Sequence, residues 1–458
     1  MRTYFANEAL LPGGWARNVR VEVDERGEIA DVAVGAFPRN TERLAGPVMP
    51  GMANLHSHAF QRAMAGLAEV RGPGESDFWT WRETMYRFVL QLTPERTEAI
   101  ALQVYIELLR HGYTGVAEFH YVHNDPDGRP YANRAELLLC HLAAARDAGI
   151  SITLLPSLYA WSNFGAKTLQ PRQKRFATDP AAILDMLKTA RIAAGLDRDV
   201  RVGVAPHSLR AVDTGQLDEL VAGLSAIDPA APIHIHCAEQ TREVDDCLTW
   251  CGKRPVEWLL GRMPVDFRWC VVHATHMTAE ETKALAKSGA TVGLCPTTEA
   301  NLGDGIFGLL EYRKAGGRYG IGGDSHVSRS PSEELRLLEY VLRLTARRRN
   351  LVVREGSRAA GTTLWLEAAA GGGRALGREM GAIAKGMRAD LVVLDPQHPN
   401  LASRSGDGIA NALIFAGGEH GMVRDVMVGG KWTVREGRHP LQEQAAEGFR
   451  RVLGELLG

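Results

Sequence analysis

The sequence lacks paired cysteines. Its six thiols, Cys140, Cys237, Cys247, Cys251, Cys270 and Cys295, never form a CxxC. A zinc ribbon and a thioredoxin-type redox centre are thereby excluded. Cys247 and Cys251, four apart, can share a helical face and read as reduced structural thiols. No apolar run approaches the roughly 20 residues of a membrane span. The opening stretch MRTYFANEALLPGGW has no charged segment leading into an apolar one, so no secretory signal is expected. Charge of one sign is missing too: 53 Lys and Arg stand against 54 Asp and Glu, a net of −1. Such balance argues against a nucleic-acid or anionic-membrane partner. No phosphate loop is present, and no GxGxxG follows a strand. These absences leave a soluble, cytoplasmic globular chain.

With 458 residues, 45% of them hydrophobic, the chain can bury a large core and is too long for one ordinary compact domain. Short alternating stretches such as NVRVEV and EIADVAV lie in residues 1–46, and ADLVVLD and RDVMVGGKWTVREG lie after 388. They read as small antiparallel strands, the Gly-Gly as a hairpin. Residues 1–46 and 388–458 are expected to meet in one small β-sandwich domain. Between them, over 47–387, eight short apolar runs alternate with amphipathic helical stretches. The runs are 47–54, 114–121, 150–158, 201–206, 232–237, 269–273, 290–296 and 318–324. Strands buried on both faces and separated by helices predict a parallel sheet. Eight such units favour a closed (β/α)8 barrel of the α/β class.

Metal-capable side chains fall at or just past the C-terminal ends of these runs. The first run leads into His56-Ser57-His58, the fifth contains His234 and His236 with Glu239 beyond, the sixth ends at His273 and the eighth at Asp324. In a barrel these ends converge on one mouth. An HxH alone is a weak signal, since both rings merely share one face of a strand. Three imidazoles with one carboxylate suit a catalytic zinc that keeps a position for water. Spacing alone does not choose between His234 and His236. His236, nearer the strand end, is preferred, leaving His234 as a hydrogen-bonded core residue one layer deeper. By residue type, Asp324 can bind the ion and accept a proton from water, Glu239 can protonate a leaving nitrogen, and His273 can polarise an oxyanion. Strand four ends Ala205-Pro206-His207-Ser208-Leu209-Arg210 without the lysine that often bridges two metals, so one ion is inferred.

The motifs NLHSHAFQR, HIHCAEQ, VHATH and GGDSH, with the tail GAIAKGMRADLVVLD, resemble those of the amidohydrolase superfamily. More narrowly, GMANLHSHAFQRAMAGLAEV, FWTWRETMYR, AEFHYVHND, HSLRAV, AEQTREVDDC and TEANLGDGIF resemble the formiminoglutamate deiminase family over nearly the whole chain. The metal positions match, while Cys295-Pro296-Thr297-Thr298 departs from the usual pattern. The resemblance implies hydrolysis of N-formimino-L-glutamate to N-formyl-L-glutamate and ammonia in histidine degradation, by a cytoplasmic homodimer. It implies one zinc ion per subunit held by His56, His58, His236 and Asp324, with Glu239 and His273 catalytic. It also implies substrate contacts from Gln61, Arg82, Tyr121, His207 and Arg210. That set suits a small acidic substrate, because guanidinium groups bind carboxylates bidentately. The rival expectations are a deaminase of nucleobase-like heterocycles and a metal-free relative.

Overall fold

The computed structural model describes all residues except 72, 73, 75 and 418–420. Eight parallel strand positions close into a barrel. In chain order they are β1 (Met52–Ser57), β2 (Tyr113–His120), β3 (Ser151–Leu158), β4 (the short pieces Val200–Val202 and Ala205–Pro206), β5 (Ile233–Cys237), β6 (Trp269–His273), β7 (Thr291–Leu294) and β8 (Arg318–Ile321). The ring closes from β8 to β1 through Ile321 opposite Asn54, and from β4 to β5 through bridges Val204–Ile233 and Ser208–His236. Every residue of β1, β2, β3, β5, β6 and β7 is buried, as continuous apolar runs require when helices cover the outer face. Those helices start at sequence-encoded caps. Asp179 and Asp213 accept the N3 backbone N–H of Pro180–Ala194 and Thr214–Ile227, and Thr278 and Glu281 form a reciprocal capping box.

The run 47–54, read as one barrel strand, is two elements. Val48–Pro50 pairs with Ala9 and with Leu391–Val393 in the outer sheet, and only Met52 onward enters the barrel. Gly51 makes the crossing because a Cβ there would lie 2.3 Å from Thr114 Oγ1. The outer sheet has eight strands drawn from both ends of the chain, seven along one path and the short Glu42–Arg43 off it, paired to Arg2–Leu11. One face joins the barrel core through Leu10, Met49, Val392 and Val426, while Tyr4, Val21, Leu391 and Met427 build a separate core. The sheet curls, since Tyr4 and Trp432, on strands far apart in the path, meet edge to face at 5.8 Å. Val423–Val428 and Lys431–Val434 form the hairpin at Gly429-Gly430. Of the segment 388–458, the last helix, Gln442–Leu457, packs instead on the barrel helix Pro94–Arg110, with Arg96 Nε 3.0 Å from Glu455 Oε2. Among the described residues, no helix is long and apolar enough to cross a membrane.

The N-terminal end of the barrel is closed by the helix Ala360–Ala375. Its end accepts His234 Nε2–H at Ala375 O (2.8 Å), and Leu376 O accepts Thr153 Oγ1–H (2.9 Å). The opposite, C-terminal end is the mouth, and the sequence-predicted polar residues gather there.

Candidate metal and active site

Four side chains meet at the mouth. His56 Nε2 and His58 Nε2 lie 3.0 and 3.3 Å from His236 Nε2, and each lies 3.5 Å from Asp324 Oδ1. A four-coordinate ion about 2.0–2.1 Å from each donor would set neighbouring donors roughly 3.3–3.4 Å apart. The observed separations bracket that value. The rings also present bare nitrogens. His58 Nδ1 donates to Phe119 O (2.7 Å) and His236 Nδ1 to His207 O (2.9 Å). Burial pushes His56, His58 and His236 below the usual imidazole range, so the rings are neutral. Lone pairs on His58 and His236 then face each other across 3.3 Å, an arrangement that a shared cation relieves. Carbonyl partners on Nδ1 are the usual means of aiming an Nε2 at a metal. His273 Nε2 stands 3.8 Å from Asp324 Oδ2. His234 points into the layer below, and the structure keeps it out of this group.

Carboxylates that give no spacing signal in the sequence hold the arrangement. Glu118, the one charge in the buried strand β2, accepts Ser57 Oγ–H (2.6 Å), Ala59 N–H (2.9 Å) and Tyr105 O–H (3.0 Å). It thereby fixes the backbone on both sides of His58. Backbone bonds from His58 N to Asp324 O and from Asp324 N to His56 O lock β1 to the loop after β8. Gly322 permits that approach, because a Cβ there would come within 2.8 Å of His56 N and O. Ala238, His273, Ala274, Asp324 and His326 all adopt positive φ, from 49° to 67°. Five non-glycine residues in the left-handed region at the ends of β5, β6 and β8 store strain where the chemistry would occur.

Glu239 sits on the turn after β5, which Glu243 supports by accepting from Ala238 N (3.2 Å) and Glu239 N (3.1 Å). Its carboxylate faces His273 Nε2 at 3.9 Å and Arg210 Nη2 at 3.9 Å. Burial pushes Glu239 up to about 7, opposed by His273 and Arg210, which places it in the range suited to proton transfer at neutral pH. His273 is pushed the other way from most buried histidines. Burial disfavours its charged form, yet the Glu239, Glu299 and Asp324 carboxylates overcome it and raise the ring to about 10. Glu299 is the closest of these, 3.2 Å from His273 Nδ1, and it also accepts Cys295 N–H (2.9 Å).

The predicted substrate residues line the cavity above these groups. Gln61, Arg82, Tyr121, His207 and Arg210 share one small chamber with His58, His236, Glu239, His273 and Asp324. Gln61 Nε2 donates to Tyr121 Oη (2.9 Å). His207 packs its ring on Tyr121 and Tyr159. Arg82 lies over Trp79 and Tyr86, 4.7 and 5.4 Å from the ring centroids. It makes no ion pair among the described residues. The helix Phe78–Val89 roofs the chamber with Phe78, Trp81, Met85 and Tyr86. Glu83 on that helix pairs with Arg172 in the turn Pro171–Phe176.

Comparison with known proteins gives a consistent picture. Residues 48–433 match the amidohydrolase family, and residues 1–46 match the formimidoylglutamate deiminase HutF N-terminal domain. A formimidoylglutamate deiminase of Pseudomonas aeruginosa is 53% identical, with all of both chains covered. A 5-methylthioadenosine/S-adenosylhomocysteine deaminase of Natronomonas pharaonis is 29% identical over 94% of this chain and 91% of its own. Among solved structures, an amidohydrolase from Brucella melitensis superposes with a TM-score of 0.94 at 47% identity over the whole of both chains. A zinc-bound adenosine deaminase from Xanthomonas campestris shares the fold with a TM-score of 0.81 at 20% identity, over 99% and 98% of the two chains.

Proposed function

Given that the chain belongs to the amidohydrolase family and is a hydrolase of C–N bonds, we propose that it converts N-formimino-L-glutamate and water to N-formyl-L-glutamate and ammonia, with one zinc ion per chain. The observation that carries this reading is that two arginines, Arg82 and Arg210, line the same small chamber as His58, His236 and Asp324. A flat heterocycle offers no charge to those guanidinium groups, whereas a glutamate derivative offers two carboxylates.

His56, His58, His236 and Asp324 would hold the ion, which when bound supplies Lewis-acid activation of water at neutral pH. The chain's own groups divide the remaining work. Asp324 accepts a proton from the attacking water. Glu239, facing the same space and poised near neutrality, carries a proton to the formimino nitrogen as the C–N bond breaks. His273, positively charged and held by Glu299, stabilises negative charge developing on oxygen at the formimino carbon. Water adds, ammonia leaves, and the carbon becomes a formyl group. The chamber is about 50 Å³, space for a few waters. A glutamate derivative needs more room, and the helix Phe78–Val89, which forms the roof, is the wall whose outward shift would admit it and whose return would exclude water.

The direct test is product analysis with purified enzyme. Ammonia release from N-formimino-L-glutamate, with about one zinc per chain, is the expected result. Formamide in place of ammonia, or turnover of guanine, cytosine or adenosine without turnover of the acidic substrate, rejects the reading. Arg82→Met should raise KM by roughly 10- to 100-fold with a smaller change in kcat, because a substrate carboxylate loses its charged partner. An unchanged KM removes Arg82 from the recognition site.

A further inference from the structure

The roof of the chamber contains a hydrogen-bond arrangement that the reaction as described does not use. Gln173, in the turn Pro171–Phe176, is 1% exposed. Its Oε1 accepts Gln170 N–H (2.9 Å), which fixes the orientation of the amide. Its Nε2 then donates to Tyr86 Oη (3.1 Å) and to Tyr159 Oη (2.9 Å). An amide nitrogen has two protons, and both are spent here. Each phenol oxygen is therefore an acceptor, and each keeps its own proton to donate elsewhere. The two hydroxyls are near enough to interact with each other, and a bond between them uses only one of their two protons, so at least one proton of the pair is free to meet a ligand. Burial pushes the Tyr86 phenol well above its usual value, so it stays protonated.

The position of these hydroxyls gives them a use. Tyr86 and Tyr159 line the same chamber as Arg82 and Arg210. Arg82 lies over the Tyr86 ring at 5.4 Å, and both phenols are close enough to Arg210 to interact with its charge. That part of the wall offers two guanidinium groups and two phenols, all able to donate. A carboxylate, an acceptor with about four lone-pair sites, satisfies such a wall. A carboxamide brings two protons that find no acceptor.

We propose that Tyr86 and Tyr159, held by Gln173, are specificity-determining residues that donate to a substrate carboxylate between Arg82 and Arg210 and make the site select an acid over its amide. The proposal rests on the acidic-substrate reading above. Gln173 is a positioning residue: it acts through the two phenols, and its nitrogen determines that their protons face the chamber.

The experiment compares the wild-type holoenzyme with Tyr86→Phe/Tyr159→Phe and with Gln173→Glu. The Gln173→Glu variant keeps the shape of the side chain but turns its end into an acceptor, so both phenolic protons turn away from the chamber. Kinetics are measured on N-formimino-L-glutamate and on its two monoamides, and glutarate binding is measured by calorimetry. Both variants should raise KM for the acidic substrate about tenfold or more, leave kcat within about threefold, and bring the acid-to-amide kcat/KM ratio for one monoamide towards unity. Unchanged KM and unchanged ratio overturn the proposal. So does a fall in kcat alone, which signals a structural or chemical role. If the wild type does not turn over formiminoglutamate, the functional reading fails separately, and glutarate decides here. Binding to wild type that is weakened about tenfold in Gln173→Glu supports the proposal, and equal binding or none overturns it.

Discussion

His56→Ala is expected to bring metal content down to roughly a tenth of an ion per chain or less, and to lose turnover at least in proportion. His56 is fully buried beneath the chamber, and its Nε2 stands 3.0 Å from His236 Nε2 and 3.5 Å from Asp324 Oδ1. Truncation leaves two imidazoles and one carboxylate, with a gap where the fourth donor stood. Elemental analysis on protein purified without chelator reads the loss directly. Thermal unfolding supplies the control, because an ion that binds only the folded chain stabilises it by mass action. A chelator should lower the melting temperature of the wild type by several degrees and leave that of His56→Ala nearly unmoved. Asp324→Asn, close to the wild type in shape, should likewise lose metal and activity. A His56→Ala protein that folds, keeps a full ion and turns over normally would remove His56 from the site and with it the zinc reading.

The positions of these side chains were legible because each belongs to a strand end. An apolar run followed at once by His-Ser-His, His-Cys-Ala-Glu, His-Ala-Thr-His or Asp-Ser-His names both the strand and its functional tip. The closed ring then brings distant tips together. Spacing left His234 and His236 open because both face the barrel interior. They differ in depth: the layer below the mouth offers His234 the Ala375 carbonyl, and the mouth does not. The supporting carboxylates were not legible. Glu118, Glu243 and Glu299 each act on a backbone N–H or a histidine that only the folded geometry brings within reach. A lone glutamate in a strand or helix has no periodic partner to reveal this. Glu118 alone left a trace, as a single charge inside the apolar run TGVAEFHY. The run 47–54 was misread as one strand because both of its halves are apolar and buried. The change of sheet at Gly51 follows from pairing with Ala9 and Val392, far away in sequence. Gln173 and its two tyrosines belong to three separate segments, so nothing short of the fold joins them.

Glu239→Gln is expected to keep its metal and lose about 10²- to 10⁴-fold in kcat, the range for removing a positioned proton carrier. The substitution preserves size, and the turn that presents the side chain is held through its backbone N–H by Glu243, so the amide should occupy the same place. It cannot shuttle a proton. In the wild type the carboxyl is held near neutrality by burial against the pull of His273 and Arg210, and it faces both at 3.9 Å. Both cations lose part of their compensation in the variant. Arg210 is then freer to meet a substrate carboxylate, so KM should fall or stay within a few-fold while kcat collapses. This split separates Glu239 from Arg82, whose loss raises KM, and from His56, whose loss removes the ion. The result that would reject the assignment is a Glu239→Gln enzyme with normal metal content and wild-type kcat. The proton would then travel by another route, and Asp324, with His273 3.8 Å from its second oxygen, would have to carry it both from the water and to the leaving nitrogen.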